Sequence, residues 1–449
     1  MNARTPSGLA SDSSQNGPSL AARAFVFAVV LLEIGLMALG TPNADQRSGS
    51  ALAEILWAVM YAVAIAGLVR TRERTIELLR RSPLIVAFVL LAIVSTMWSI
   101  DPAITLRRSL GLAGTTACAY FIVSRFTLEQ FLDVYGDVVA LVAVLSLIVI
   151  VAAPDLGIMQ VEYPGSWRGV FNHKNLFGLF LCTGMFTLVA RNSRNGRWRS
   201  PAEWALLALC LFEFVRAGSI TAAIALMLCL GVMSLRYAAQ AFRHYRLIIG
   251  AIVAVAGVIW TAFWLTATSP AIILSAIGRN ATFTGRTGLW PMAWHAITQR
   301  PLLGYGYDVF WEPTGYAARY IAASIGWQPP HAHDGFLDVT IDLGVCGLIL
   351  LGWVLVSAIR TAGRYAAGSA LFARTWPIGI VAYAVVSNFT ETTLARYNTA
   401  AWVLLVAALV YAAPRIVEGN ATAASGMPGR SNERKPQLLH AASDRGRSR

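Results

Sequence analysis

Val138–Val151 reads VVALVAVLSLIVIV, and this stretch decides the fold. Its apolar residues do not alternate with polar ones, as strands of an outer-membrane barrel would. Nor do they leave a polar helical face, so the segment reads as a helix apolar all round, which belongs in a membrane. A spanning helix needs about 20 apolar residues. Blocks of that kind recur at 24–40, 51–69, 84–100, 109–124, 136–153, 175–190, 202–217, 218–235, 247–268, 336–358, 376–392 and 398–413. The chain has 449 residues, 56% hydrophobic and only 13% charged, which excludes an ordinary soluble domain of this size. The fold class expected is all-α: a polytopic membrane protein of about 12 transmembrane helices with one long hydrophilic loop. The expected organisation is a disordered cytoplasmic tail at 1–22, helices over 23–268, a periplasmic loop with short helices at 269–335, helices over 336–413, and a second disordered tail at 414–449. The five cysteines all fall in apolar blocks, so no disulfide framework is expected.

Net charge is +13, and its placement says more than its size. Arginines concentrate in RTRERTIELLRRS (70–82), RNSRNGRWRS (191–200), RYAAQAFRHYR (236–246) and RTAGRYAAGSALFAR (360–374). Positive residues in short loops favour the cytoplasm, and twelve helices with both termini inside put all four loops there. Topology accounts for these charges, and no aromatic–basic platform supports nucleic-acid binding. The same topology leaves Arg107, Arg108, Arg168, Lys174, Arg216, Arg286, Arg300, Arg319 and Arg396 outside, with His173, His295, His331 and His333. Outer arginines run against the usual bias, and an anionic ligand on that face is the simplest reason for them.

The long loop carries most of the polar chemistry, as long loops do when they are functional. Within it LWPMAWHAI has helical spacing, with Pro291 tolerable only in a first turn. GYAARYIAASI reads as a second, amphipathic helix. The aromatics Trp290, Trp294, Tyr305, Tyr307, Trp311, Tyr316, Tyr320 and Trp327 suit either a membrane-interface belt or stacking on sugar rings. The glycines of GRTGLW and PLLGYGYDVF permit close backbone approach, and neither segment is a nucleotide-binding loop. In HAHDGFLDVTIDLG (331–344), Asp334 is placed to cap a helix on which Asp338 and Asp342 share its face. Asp342 lies about two turns in, too deep for the helix dipole to explain. Histidines spaced H-x-H supply two ligands where zinc needs three or four. A general base is the better reading, because imidazole titrates near physiological pH. WSIDPAITLRRSL (Arg107, Arg108), SWRGVFNHKNLFG (Arg168, His173, Lys174) and FTETTLARYN (Glu391, Arg396) place further charges at outer helix ends, where they could line one cavity.

With these pieces in this order, over roughly residues 84 to 400, the chain resembles the O-antigen ligase and polymerase superfamily (Wzy/WaaL-type) of bacterial surface-glycan assembly. The pieces are WSIDPAITLRRSL, WRGVFNHKNLFG, RAGSITAAIA, GRTGLW with RPLLGYGY, and HAHDGFLDVTIDLGVCG. Within the superfamily it is most similar to the ExoQ-like exopolysaccharide polymerases, departing from their pattern at Asp334, where Asn is expected. The resemblance implies a GT-C-like, metal-independent glycosyltransferase of the bacterial inner membrane, its active site facing the periplasm and using no cofactor. The donor implied is an oligosaccharide on undecaprenyl diphosphate and the acceptor another lipid-linked repeat, with the growing polysaccharide, a chain-length co-polymerase and the bilayer as partners. An O-antigen ligase acting on lipid A–core is the alternative. A polysaccharide transporter is more distant, because its sites would lie near the bilayer midplane. Carried over residue by residue, His333 is the expected base with His331 behind it, and Arg286 and Arg168 hold the diphosphate. Arg216, Lys174, His173, Arg107, Arg108, Asp338 and Glu391 are the expected substrate-binding residues.

Overall fold

The computed structural model describes residues 17–34, 51–161, 163–193, 200–241, 286–367 and 372–414. Regular structure in them is helical, and the pairing outside helices is an isolated antiparallel bridge between Ile158 and Trp167. In chain order the helices are α1 (Leu20–Glu33), α2 (Ala51–Arg70), α3 (Arg72–Arg81), α4 (Pro83–Val94) and α5 (Pro102–Arg125). Next come α6 (Leu128–Ala152), the single turn α7 (Pro154–Gly157), α8 (Lys174–Asn192), α9 (Pro201–Ala217) and α10 (Ile220–Ala241). The last are α11 (Arg286–Gln299), α12 (Tyr316–Ile325), α13 (Gly335–Ala367), α14 (Trp376–Ser387) and α15 (Ala400–Ala412).

Helix starts follow local chemistry. Asp101 accepts from the Ile104 N–H at 3.1 Å while Pro102 takes the first helical position. Thr127 and Gln130 cap α6 reciprocally, and Ser200 precedes Pro201 at the start of α9. The long helices are apolar inside and out. On α6, Val138, Val142 and Ile150 are buried while Leu141, Val144, Ile148 and Val151 are exposed. On α13 the exposed row is Val345, Ile349, Trp353, Val356 and Ile359. Such outer rows, spaced three and four residues apart, are covered by lipid. Between helices there is no room for a Cβ at Gly184, against Val139, or at Gly379, against Phe186, so the backbones approach closely.

The chain is a multi-pass helical membrane protein. Among the described residues, α2, α6 and α13 are long and apolar enough to cross a bilayer; the bent pair Arg72–Arg81 and Pro83–Met97 adds a fourth span if it counts as one. The other described apolar blocks form helices that are shorter or, like the 24-residue α5, less apolar. The block 247–268 and the loop residues 269–285 lie outside the described residues. Three local expectations need correction. RTRERTIELLRRS, read as a loop, is helical over Arg72–Arg81: it has no breaker, and Leu78 is buried while Arg72, Arg74 and Arg80 face out. Pro291 sits in the interior of α11, not its first turn, because the helix extends back to Arg286. The block 376–392 stops being helical at Ser387, where the Asn388 side chain takes the N–H groups of Thr393 and Leu394 at 3.2 and 3.1 Å and turns the chain.

Candidate active site

The loop before α13 is held by a break in that helix. Gly344 has φ 66° and ψ −167°, a conformation available essentially to glycine alone. The break frees four backbone groups, and PLLGYGY takes all of them. Tyr305 N–H donates to the Ile341 carbonyl and Gly306 N–H to that of Asp342, both at 2.9 Å. In return, Val345 N–H donates to Pro301 O at 2.8 Å and Cys346 N–H to Leu302 O at 3.3 Å. Non-helical backbone beside a membrane helix is tolerated because every group finds such a partner. The same strand of loop reaches the start of α5, where Tyr307 N–H donates to Ser95 Oγ and Ile100 N–H to Tyr305 O. A small core of Leu289, Ala293, Phe310, Trp311, Ile321, Ala332 and Ile341 joins α11 and α12 to α13.

Beside this lies a network in which basic side chains are matched by acids. Arg108, 2% exposed, pairs with Glu312 at 2.6 Å and with the Asp308 carbonyl. Arg396 contacts Asp308 and lies 3.7 Å from Asp338. Burial acts to lower the Arg396 pKa, but Asp308, Asp338 and Asp342 outweigh it and hold the guanidinium above its ordinary value. Burial, then Asp308, pushes the Tyr307 phenol well up, so it remains a donor to the Ala395 carbonyl at 2.7 Å. Asp338 accepts from Trp311 Nε1 at 2.6 Å, from Ala332 N–H at 3.0 Å and from Thr392. These contacts clamp the loop to the bundle. Arg107 lies outside the network, in an exposed pair with Glu54 at 2.9 Å.

A second set of residues gathers at the first turn of α8. His173 caps that helix, its Nδ1 accepting from Asn175 N–H at 3.2 Å. Lys174, 4% exposed, reaches Gly218 O at 3.1 Å and lies 4.0 Å from the centre of the Tyr163 ring. Arg216 stacks over Trp167, 5.1 Å from the ring centre, and its carbonyl accepts the Trp167 N–H. Arg168 donates from Nε to Leu156 O at 2.8 Å, from Nη2 to Asp155 O at 3.2 Å and from Nη1 to Asn172 O. An arginine has five N–H donors, so its fork retains capacity for an anion. The turn between α9 and α10 thus brings Arg216 to the loop that carries Arg168 and Lys174.

The first turn of α8 also reaches the histidines. Asn175 Nδ2 donates to Glu391 Oε1 at 2.6 Å, and Glu391 Oε2 lies 3.3 Å from His333 Nδ1. A carboxylate only accepts, so the His333 proton sits on Nδ1 and leaves Nε2 as the basic nitrogen. The His333 side chain is 23% exposed, and its backbone adopts φ 54°. Its N–H donates to His331 Nδ1 at 3.1 Å, and the two rings meet edge to face with 4.2 Å between centres. Trp327 lies 6.2 Å from His333. His331, His333 and Glu391 offer three metal-ligand atoms within 4.8 Å of one another. This donor set suits a divalent ion, but both Glu391 oxygens and the Nδ1 atoms of both histidines already take part in the hydrogen-bonded chain.

Of the expected residues, then, His331, His333 and Glu391 come together, and His173, Lys174, Arg168 and Arg216 adjoin them through α8. Asp334 caps α13, accepting from Phe336 and Leu337 N–H at 2.9 and 3.1 Å. Asp338 is taken by Trp311, Ala332 and Thr392, and the acid hydrogen-bonded to His333 is Glu391. Asp342 is buried, and its Oδ1 has no hydrogen-bond partner among the described residues. The aromatics divide: Trp311 and Tyr307 are core residues, while Trp294, Tyr316 and Tyr320 are exposed. The Arg286 side chain lies outside the described ones. Asn175 was missed. Its one signal was its place beside His173 and Lys174 in FNHKN.

Residues 202–352 match the family described as O-antigen ligase. Over 286 residues the chain is 29% identical to the exopolysaccharide production protein ExoQ of Rhizobium meliloti (strain 1021). That alignment covers 61% of this chain and 63% of the relative's length, so the match spans less than two thirds of the relative. Residues 202–352 are thus similar to the O-antigen ligase family, and a larger part of the chain is similar to an exopolysaccharide production protein.

Proposed function

We propose that the chain polymerises undecaprenyl-diphosphate-linked repeat units into exopolysaccharide on the periplasmic face of the bacterial inner membrane. The observation that carries this reading is the first turn of α8, which joins a cationic group to a base: Lys174 on one side, Asn175, Glu391 and His333 on the other. In the reaction the acceptor hydroxyl oxygen bonds to the donor's anomeric carbon as the bond from that carbon to the diphosphate breaks. The hydroxyl proton passes to His333 Nε2, and the diphosphate departs with the electron pair. Arg168, Arg216, Lys174 and Arg286 stabilise the charge developing on it, which preorganised donors do without reorganising. A positioned base contributes about 10²–10⁴-fold. His331, edge to face with His333, contacts the acceptor. No metal ion enters the mechanism.

The reading includes about 12 spans in a GT-C-like arrangement, residues 269–335 in the periplasm and the arginine-rich loops in the cytoplasm. Opposite ends of α8 support this: His173 and Lys174 begin it, and Arg191 ends it, paired with Asp137 at 2.9 Å. A chain-length co-polymerase is the partner expected of a polymerase. The purified protein with lipid-linked repeat should make polymer in the presence of EDTA. Turnover abolished by EDTA and restored by one divalent ion would transfer the role of His331, His333 and Glu391 to a metal. The family description favours one second reading, ligation of finished glycan to an acceptor lipid. Glycan from a deletion strain separates the two: single repeats left on carrier mean a lost polymerase, full-length chains on carrier a lost ligase.

A further inference from the structure

Asn175 is neutral, sits on a different helix from the base and has no reason in helix propensity to be where it is. Its side chain nonetheless makes one of the short contacts of the site, 2.6 Å from Nδ2 to Glu391 Oε1. Glu391 is 6% exposed and lies in the loop between α14 and α15. A long carboxylate side chain on a loop has several rotamers; one oxygen fixed by an amide donor leaves the other aimed at His333 Nδ1. Asn175 is itself fixed, because its backbone N–H is held by the His173 ring at the start of a regular helix. We infer that Asn175 is a positioning residue: through Glu391 it selects the Nδ1–H tautomer of His333 and so makes Nε2 the proton acceptor.

The direction of each hydrogen bond makes the inference testable. In Glu391→Gln, Asn175 donates to the new amide's oxygen, so the amide NH₂ faces His333 Nδ1. That forces the opposite tautomer, with the proton on Nε2 where the base should be. In Asn175→Asp, two carboxylates face each other across the same 2.6 Å contact and cannot both stay ionised. In the exchange Asn175→Asp with Glu391→Gln the polarity is restored. The carboxylate, now on α8, accepts from the NH₂ of the amide, now on the loop, and the oxygen of that amide again accepts from His333 Nδ1–H. Net charge is the same as in the starting protein, but the negative charge is now farther from the imidazole. The other ionisable groups near His333 are His331 and Asp334 on its own segment, and His173 and Lys174 beside Asn175; none of them changes.

The first readout needs no activity. Full-length protein labelled with ¹⁵N-histidine in lipid nanodiscs reports the tautomer of each ring by NMR, with His333→Ala assigning the signal. Expected are Nδ1–H in the unaltered chain, Nε2–H in Glu391→Gln and Nδ1–H again in the exchange. An Nε2–H ring in the unaltered chain, or a tautomer that Glu391→Gln leaves alone, overturns the inference. The second readout rests on the glycosyl-transfer reading. With lipid-linked repeat, each single variant should lose about 10²-fold or more, and the exchange should recover at least about tenfold of that. Its acid limb should move to lower pH, since the charge that favours imidazolium is more distant. Recovery with an unmoved pH profile would make the contact a mere clamp between α8 and the loop, and so would overturn the positioning role. Absence of transfer in the unaltered chain tells against the functional reading instead, and the tautomer measurement still decides the inference.

Discussion

Two clusters of ionisable side chains are built from the same two segments, 331–342 and 388–399, yet they are opposite in kind. Around Arg396 the guanidinium contacts Asp308 and lies beside Asp338, and Asp338 in turn is taken by Trp311, Ala332 and Thr392. Around His333 the chain of hydrogen bonds runs in one direction and leaves a basic nitrogen at its end. The first cluster is buried and each of its cations is met by an acid, so its groups hold structure. The second is partly exposed and unbalanced at Nε2, so its groups can exchange a proton with a substrate. Charge at a helix end therefore does not define a site. What separates the two is whether charge is met by opposite charge within the cluster.

Breaking each side tests the comparison. The largest effect expected is in His333→Ala: transfer from lipid-linked donor should fall by about 10²–10⁴-fold, while thermal unfolding in detergent stays as in the unaltered protein. Near-normal turnover there would remove the base from the mechanism. Arg396→Met should show the reverse. It leaves buried Asp338 without its cation and Asp308 with Arg108 alone, 4.0 Å away, at a cost of about 3–5 kcal/mol, read as a lower unfolding midpoint and lower yield. A variant that kept its stability would mean the network is not the clamp described here. Gly344→Ala tests what both clusters stand on. Its φ of 66° and the Leu302 backbone against it leave no place for a Cβ. Destabilisation of about 1–3 kcal/mol is expected, with the loop bearing His331 and His333 exchanging amide hydrogens faster than α6.

Arg168→Lys and Arg286→Lys keep the charge and lose the planar fork. At matched expression, polymer yield should drop by about tenfold in each, the order of one charge-assisted hydrogen bond; full yield in both would end the bidentate reading. Smallest of all is Arg107→Ala. Its pair with Glu54 is more than half exposed on both sides, and such pairs are worth about 0–1 kcal/mol. A large loss of transfer in that variant would bring Arg107 back among the donor ligands, despite its distance from the α8 turn.

Some of this could be read along the chain. Apolar blocks gave the long helices, and Asp334 was legible as a cap because capping is decided within three residues. The two loop helices followed from spacing, and the glycines of PLLGYGY from their freedom of approach. The partners of Asp338 could not be read locally, because nothing near it in the chain says that Trp311 and Thr392 will reach it. Arg107 and Arg108 are adjacent and look equivalent. One turned into a buried network and the other to the surface, which depends on what packs against α5.

By itself the sequence determined that the chain spans a membrane as helices and where most of them begin. These follow from hydrophobic transfer and from bonds between near neighbours. Which acid serves the base was decided by tertiary structure alone. Glu391 is 58 residues from His333 and 216 from Asn175, so their meeting depends on how α8, α13 and α14 pack. Packing sums many small contacts across the whole bundle, and no single stretch of the chain contains that sum.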